Sequence, residues 1–176
     1  MILAGDIGGT KTVLGLFDWT NERVAPARTQ TFVSADYQSL DEIVDEFLRP
    51  TPEGSVEGEP SGKAEEPSAS PVAIHAACFG VAGPVIDNRC RTTNLPWIVD
   101  GPELGKRFAL ERVRLLNDLE ATAYGLEVLS QDEVEVLNVG TTPPSKGAIA
   151  LIAAGTGLGE AILYWDGTRY RPQASE

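Results

Sequence analysis

Thiols and imidazoles are scarce in this chain. Its 176 residues include two cysteines and one histidine. Cys78 and Cys90 do not sit in a metal-type pair, so a cysteine-based zinc site and a disulfide scaffold are both disfavoured, and a reduced cytoplasmic protein is expected. His75 lies in an apolar, strand-like run and reads as a packed or edge histidine rather than as a ligand. Basic charge is also short, with 14 Lys and Arg against 26 Asp and Glu and a net charge of -12. Such a surface repels nucleic acid and anionic membranes and favours small-molecule partners. No apolar run approaches the roughly 20 residues of a membrane-spanning helix. Met1-Ile2-Leu3 enters a strand without the basic region of a signal peptide. No short internal repeat is present. Hydrophobic residues make up 42%, enough for a packed core.

Alternation and punctuation predict the elements. Met1 to Asp6, Thr12 to Trp19 and Arg23 to Ser34 read as an antiparallel meander. Tyr37 to Leu48 reads as a helix with Leu40, Ile43, Val44, Phe47 and Leu48 on one face. Residues 51–71 are Pro, Gly, Ser and Glu with too few apolar residues for a buried face, which predicts a mobile acidic surface loop. Val72 to Val81 reads as a buried strand, followed by a short hairpin around Asp87-Asn88-Arg89 and a loop at Asn94-Leu95-Pro96-Trp97. Asp100 caps a helix with an early proline. Val113 to Leu116 is a strand, and Leu119 to Leu129 a helix with Leu119, Ala123, Leu126 and Leu129 inward. Ile149 to Ala154 and Ala161 to Trp165 are strands around a second glycine loop. The class is α/β, a mixed sheet with an antiparallel meander and crossover helices. After Leu129 a motif like the opening meander begins and is cut short.

Three segments carry the chemistry. The first, Gly5-Asp6-Ile7-Gly8-Gly9-Thr10-Lys11-Thr12, is a glycine turn between two strands. Bare amides, hydroxyls, a lysine and a carboxylate at one spot suit phosphates and their metal ion. A plain hairpin turn would use the same glycines. The second, Asn117-Asp118, stands where a strand meets a helix. It reads either as a helix cap or as a sugar-contacting amide beside a general base, at the strand end where α/β sheets bind ligands. The third, Gly155-Thr156-Gly157-Leu158-Gly159, has no Walker lysine and no strand-turn-helix context, so it is neither a P-loop nor a dinucleotide turn.

With these segments, Phe79-Gly80-Val81-Ala82-Gly83-Pro84-Val85 and Thr93-Asn94-Leu95-Pro96-Trp97 complete a set of five motifs. In type and order the set resembles the bacterial glucokinases of the hexokinase, actin and heat-shock-70 ATPase superfamily. The resemblance implies a ribonuclease H-like (actin-like ATPase) fold. It implies phosphorylation of glucose at its 6-hydroxyl with ATP and Mg²⁺, the entry step of glycolysis. Asp118 would be the general base, with Asn117 and Asn94 facing the sugar. Gly8, Gly9, Thr10, Lys11 and Thr12 would wrap the phosphates, with Asp6 near the Mg²⁺ through water. Gly155, Thr156, Gly157 and Gly159 would form the second phosphate loop. Glucose and ATP are the expected partners, and a homodimer is left open.

The family runs on through a second domain, with a Glu-Gly-Gly-His sugar motif whose first residue matches Glu176. The expected division is a small α/β domain over residues 1–129 and the start of a large domain over 130–176. The expectation is therefore an N-terminal portion with little or no kinase activity by itself. Another hexose or N-acetylhexosamine kinase, or a non-catalytic sugar- or nucleotide-binding remnant, are the alternatives.

Overall fold

The computed structural model describes residues 1–20, 23–49, 73–140, 146–154 and 158–174. The acidic segment 51–71, expected to be mobile, lies outside them. Strand β1 (Ile2–Ile7) turns through Gly8–Thr10 into β2 (Lys11–Thr20), which pairs antiparallel with β3 (Arg23–Val33). Alternate residues Thr12, Leu14 and Leu16 on β2 face the interior, the period-2 pattern of a half-buried strand.

Helix α1 (Leu40–Leu48) follows. It begins three residues later than the sequence pattern predicts, because Ser34–Asp36 forms a 3-10 turn and Ser39 is the N-cap. Leu40, Ile43, Val44 and Phe47 are buried at i, i+3, i+4 and i+7, one helical face. Phe47 stacks edge-on against Phe32 and lies under the Arg28 guanidinium.

Strand β4 (Ala76–Val81) runs parallel to β1. It starts at Ala76, and Val72, where the sequence pattern begins the strand, lies outside the described residues; His75 is exposed, its amide donating to Met1 O at 3.0 Å. The hairpin of β5 (Val85–Ile86) and β6 (Arg89–Arg91) turns through Asp87 and Asn88, both at positive φ. That geometry is the type I′ turn preferred in two-residue hairpins. A further short strand, β7 (Ile98–Asp100), pairs with β6 and was not legible in the sequence.

Asp100 caps α2 (Gly101–Arg107) as expected, accepting from Glu103 N at 3.1 Å. Strand β8 (Arg112–Asn117) is parallel to β4 and completes a five-stranded sheet of order β3-β2-β1-β4-β8. As the last strand it would leave backbone groups unpaired. Asn88 covers part of that edge, donating to Val113 O at 2.9 Å and accepting from Leu115 N at 2.7 Å.

Helix α3 (Asp118–Leu126) is shorter than expected, and Leu129 lies beyond it and is exposed, not inward. One side of α3 touches β4, where Gly80 leaves room for Ala121; a β-carbon on residue 80 would stand 3.0 Å from Ala121 Cβ. The other side covers an antiparallel sheet of β9 (Ile149–Ala154), β10 (Leu158–Trp165) and β11 (Tyr170–Ala174). Strand β11 is an addition to the two strands the sequence pattern predicts. Ala123, Ala161 and Leu163 form a small second core there, separate from the large one of the first sheet. Among the described residues no helix is long and apolar enough to cross a membrane.

Candidate active site

A cleft of about 530 Å³ opens at the C-terminal ends of the parallel strands β1, β4 and β8. This is where α/β sheets present ligands, because each strand hands over to a loop at that end. Five separated segments line it: Gly8-Gly9, Ala82-Gly83, Thr93-Asn94, Asn117-Asp118-Leu119, and residues 153–154 with 158–160.

The first turn is braced from beneath. Gly8 N donates to Lys11 O at 3.0 Å, and Ser34 N donates to Thr10 O at 3.1 Å. Ser34 Oγ donates to Gly8 O at 2.9 Å and lies 3.0 Å from Thr12 Oγ1. Thr12 is fully buried, so its side chain belongs to this brace and not to the cleft wall. Thr10, Lys11 and Asp6 are exposed beside the turn, outside the lining residues. The Asp6 carboxyl is pushed above its ordinary value of 3.8, first by partial desolvation and then by the negative charge of Asp118, against an opposing pull from Lys11.

Asn117 and Asp118 occupy the junction of β8 and α3. Asn117 Oδ1 accepts from Leu119 N at 3.0 Å and Glu120 N at 3.3 Å, satisfying two amides of the first helical turn. Its Nδ2 donates to Gly83 O at 3.2 Å. The capping reading therefore describes what this buried side chain does here, while its position keeps it in the cleft wall. Asp118 is the first residue of α3 and is half-buried. Its Oδ1 accepts from Leu119 N at 3.0 Å. A carboxylate held so, with its second oxygen free of that bond, can accept a proton from a bound hydroxyl.

Gly155, Thr156 and Gly157 of the second loop lie outside the described residues, as does Glu176. The flank of that loop is visible. Gly159 packs on Leu119, where a β-carbon would come 2.7 Å from Leu119 Cδ2. That close approach sets Gly159 beside the residue following Asp118. Ser34 and Glu160 are site-related residues that sequence reasoning missed. Ser34 ends a strand with no distinguishing pattern, and Glu160 reads as one more surface acid on β10.

The two carboxylates beside the Gly8-Gly9 turn suit a phosphate-bound divalent cation. The negative charge of Asp118 raises the cost of ionising Asp6, and a cation held nearby would offset that repulsion. Among the described residues no cluster of three or more His, Cys, Asp or Glu could hold a metal by protein ligands alone, so a cation here would be shared with phosphate and water.

A family model described as glucokinase matches residues 3–176. The glucokinase of a Synechocystis species is 39% identical over 180 residues, covering 99% of this chain and 47% of that protein. The glucokinase of a Nostoc species is 34% identical over 177 residues, covering 100% of this chain and 46% of that protein. The crystal structure of a glucokinase from an Antarctic psychrotroph superposes with a TM-score of 0.74 at 28% identity, covering 99% of this chain and 49% of that one. A Balamuthia mandrillaris glucokinase solved in complex with glucose shares the fold, with a TM-score of 0.61 at 19% identity over 99% of this chain and 47% of that one. The chain thus spans about half the length of the curated relatives it matches. Its strand order, its cleft and these matches agree: the actin-like ATPase fold is present, and the chain belongs to the glucokinase family.

Proposed function

We propose that this chain is the N-terminal portion of a glucokinase that transfers the terminal phosphoryl group of ATP to the 6-hydroxyl of glucose. The observation that carries the proposal is the convergence of Gly8-Gly9, Gly159 and the Asn117-Asp118 pair on one cleft. Phosphoryl transfer asks little covalent work of the protein; it asks for positioning, charge stabilisation and a group that orients the attacking hydroxyl.

Asp118 takes the proton of the 6-hydroxyl. Asn94, over the first turn, and Asn117, at the cap of α3, face the sugar. Gly8, Gly9, Thr10 and Lys11 form the first phosphate site, and Gly155, Thr156, Gly157 and Gly159 the second. Asp6 would hold Mg²⁺ through water, and the ion would supply charge neutralisation on the phosphates. Residues 1–129 act as the small domain and 130–176 as the start of the large one. Glu176 belongs to a sugar-binding motif, and since the chain spans about half the length of its curated relatives, residues 1–176 by themselves turn over glucose barely or not at all.

The test is glucose-dependent ADP formation with Mg-ATP by the purified chain, beside Asp118→Asn and a panel of mannose, fructose and N-acetylglucosamine. Loss of a well-placed base typically costs about 10²- to 10⁴-fold in rate. Whatever turnover is detected should require glucose and vanish in Asp118→Asn. Robust turnover by residues 1–176 would refute the incomplete-enzyme reading. Turnover indifferent to Asp118→Asn would refute the assignment of the base.

A further inference from the structure

The Gly8–Gly9 peptide is anchored by two buried hydroxyls. Ser34, directly after β3, and Thr12, on β2, are both fully buried. Ser34 Oγ donates to Gly8 O at 2.9 Å, and the Thr12 and Ser34 hydroxyl oxygens are 3.0 Å apart. A hydroxyl has one proton to give. Ser34 has given its own to Gly8, so Thr12 is the donor in the hydroxyl pair. The chain of bonds runs from Thr12 to Ser34 to the Gly8 carbonyl. The Ser34 amide meanwhile holds Thr10 O at 3.1 Å, so one residue grips the turn on both sides.

Peptide geometry gives this anchoring a consequence. Among the described residues there are no cis peptide bonds. In a trans peptide the carbonyl and the following N–H point in opposite directions. With Gly8 O drawn toward the buried hydroxyls, the Gly9 N–H points away from them. Gly9 is one of the residues lining the cleft. Glycine on both sides of the plane removes the steric barriers that would otherwise hold it. The hydroxyls supply the constraint that the glycines lack.

We infer that Thr12 and Ser34 are positioning residues that lock the Gly8–Gly9 plane and so present the Gly9 amide to a polyphosphate. The inference rests on the reading of this turn as a phosphate site. It assigns Thr12 a role behind the turn rather than on the ligand, and brings in Ser34, which no motif marks. An oriented amide needs no reorganisation when the anion arrives, which is where its binding advantage comes from.

The test uses the purified chain with Thr12→Val, Thr12→Ser and Ser34→Ala, probed by amide NMR during titration with inorganic tripolyphosphate and Mg²⁺, at a temperature where all four proteins are folded. Thr12→Val keeps the shape and removes the hydroxyl, and Thr12→Ser restores it. The expected result is a loss of affinity on the order of tenfold in Thr12→Val and Ser34→Ala, the scale of one hydrogen bond to a charged group. The Gly9 amide resonance of the free protein should move in the same two variants, with near wild-type behaviour in Thr12→Ser. A purely structural role would lower the melting temperature and leave affinity and the Gly9 resonance unchanged; that result overturns the inference. Absence of binding by the wild type, with Gly9 still responding to Ser34→Ala and not to Thr12→Ser, would overturn the phosphate reading and leave the anchoring supported.

Discussion

Asn94 stands directly against Gly9, so close that a β-carbon at residue 9 would lie 2.6 Å from Asn94 Cβ. The two residues come from the β1–β2 turn and from the loop before β7, more than eighty positions apart. Their contact closes one wall of the cleft and places a candidate sugar-facing amide over a candidate phosphate turn. Only glycine permits it, since real β-carbons do not approach so near.

Gly9→Ala should therefore push the Asn94 loop away from the turn. Overpacking of this kind costs about 1–3 kcal/mol, readable as a lower urea midpoint. The double variant Gly9→Ala/Asn94→Gly removes the opposing β-carbon and should recover much of the loss. Equal stability of the single and double variants would show that the contact is not what limits residue 9.

Asn117 spends both ends of its amide inside the protein. Asn117→Ala removes an N-cap worth about 0.5–2 kcal/mol and strips the Gly83 carbonyl of the Asn117 donor. Asn117→Asp keeps the acceptor for Leu119 and Glu120 but cannot donate to Gly83, so its cost should fall between wild type and Asn117→Ala. Chemical denaturation of the three proteins gives the order directly, and an Asp variant as damaged as Ala would argue against the cap.

Asp6 offers a pH signature of the site. Its carboxyl should titrate above 3.8, and Asp118→Asn should bring it down by removing the neighbouring charge. Lys11→Gln should move it the other way. The sign for stability follows from linkage: a carboxyl whose folded pKa is raised binds its proton more tightly in the native state. Its ionised form is thus a cost above the raised pKa. That cost is relieved as pH falls through the raised value and is gone below 3.8. Asp6→Asn should consequently be more stable than wild type near neutrality and lose that advantage in acid. Carboxyl NMR through a pH series, with thermal melts at matching pH, checks both halves.

The second core is small enough to fail alone. Leu163 is fully buried there beside Ala123 and Ala161. Leu163→Ala should cost about 2–5 kcal/mol, and the damage should concentrate in β9, β10 and β11. Hydrogen exchange would show those strands losing protection while β1, β2 and β4 keep theirs. Uniform loss across both sheets would mean that the two cores unfold together.

These outcomes divide along what the residues themselves made readable. The meander, α1 and the capped start of α2 were legible because alternation, helical spacing and Asp100-Gly101-Pro102 each follow from local chemistry. The helix ends were less so: Tyr37 lies outside α1 because Ser34 turns back to bond with Thr10 and Gly8, a contact between distant positions. Strand β7 is three residues long and β11 contains a proline, so neither shows a strong strand pattern. At the site, glycine turns and the Asn-Asp pair stood out. What did not was the direction of Thr12, whose hydroxyl faces the core because β2 alternates and Lys11 takes the outer position. Ser34 and the packing of Gly159 on Leu119 depend on tertiary approach and leave no mark in a linear pattern.

The central claim is that segments spread from Gly8 to Gly159 form one sugar- and nucleotide-binding cleft with Asp118 in its wall. Its most direct test is amide NMR of the isotopically labelled chain titrated with glucose and then with Mg-ATP. The account predicts that glucose shifts resonances at Asn94, Asn117 and Asp118, and that Mg-ATP shifts those at Gly9, Thr10, Lys11 and Gly159. Neither ligand should disturb the Asn88 and Lys106 face, where a smaller hollow lies between α2 and β8. Shifts confined to that other face, or none at any cleft residue at millimolar ligand, would contradict the account.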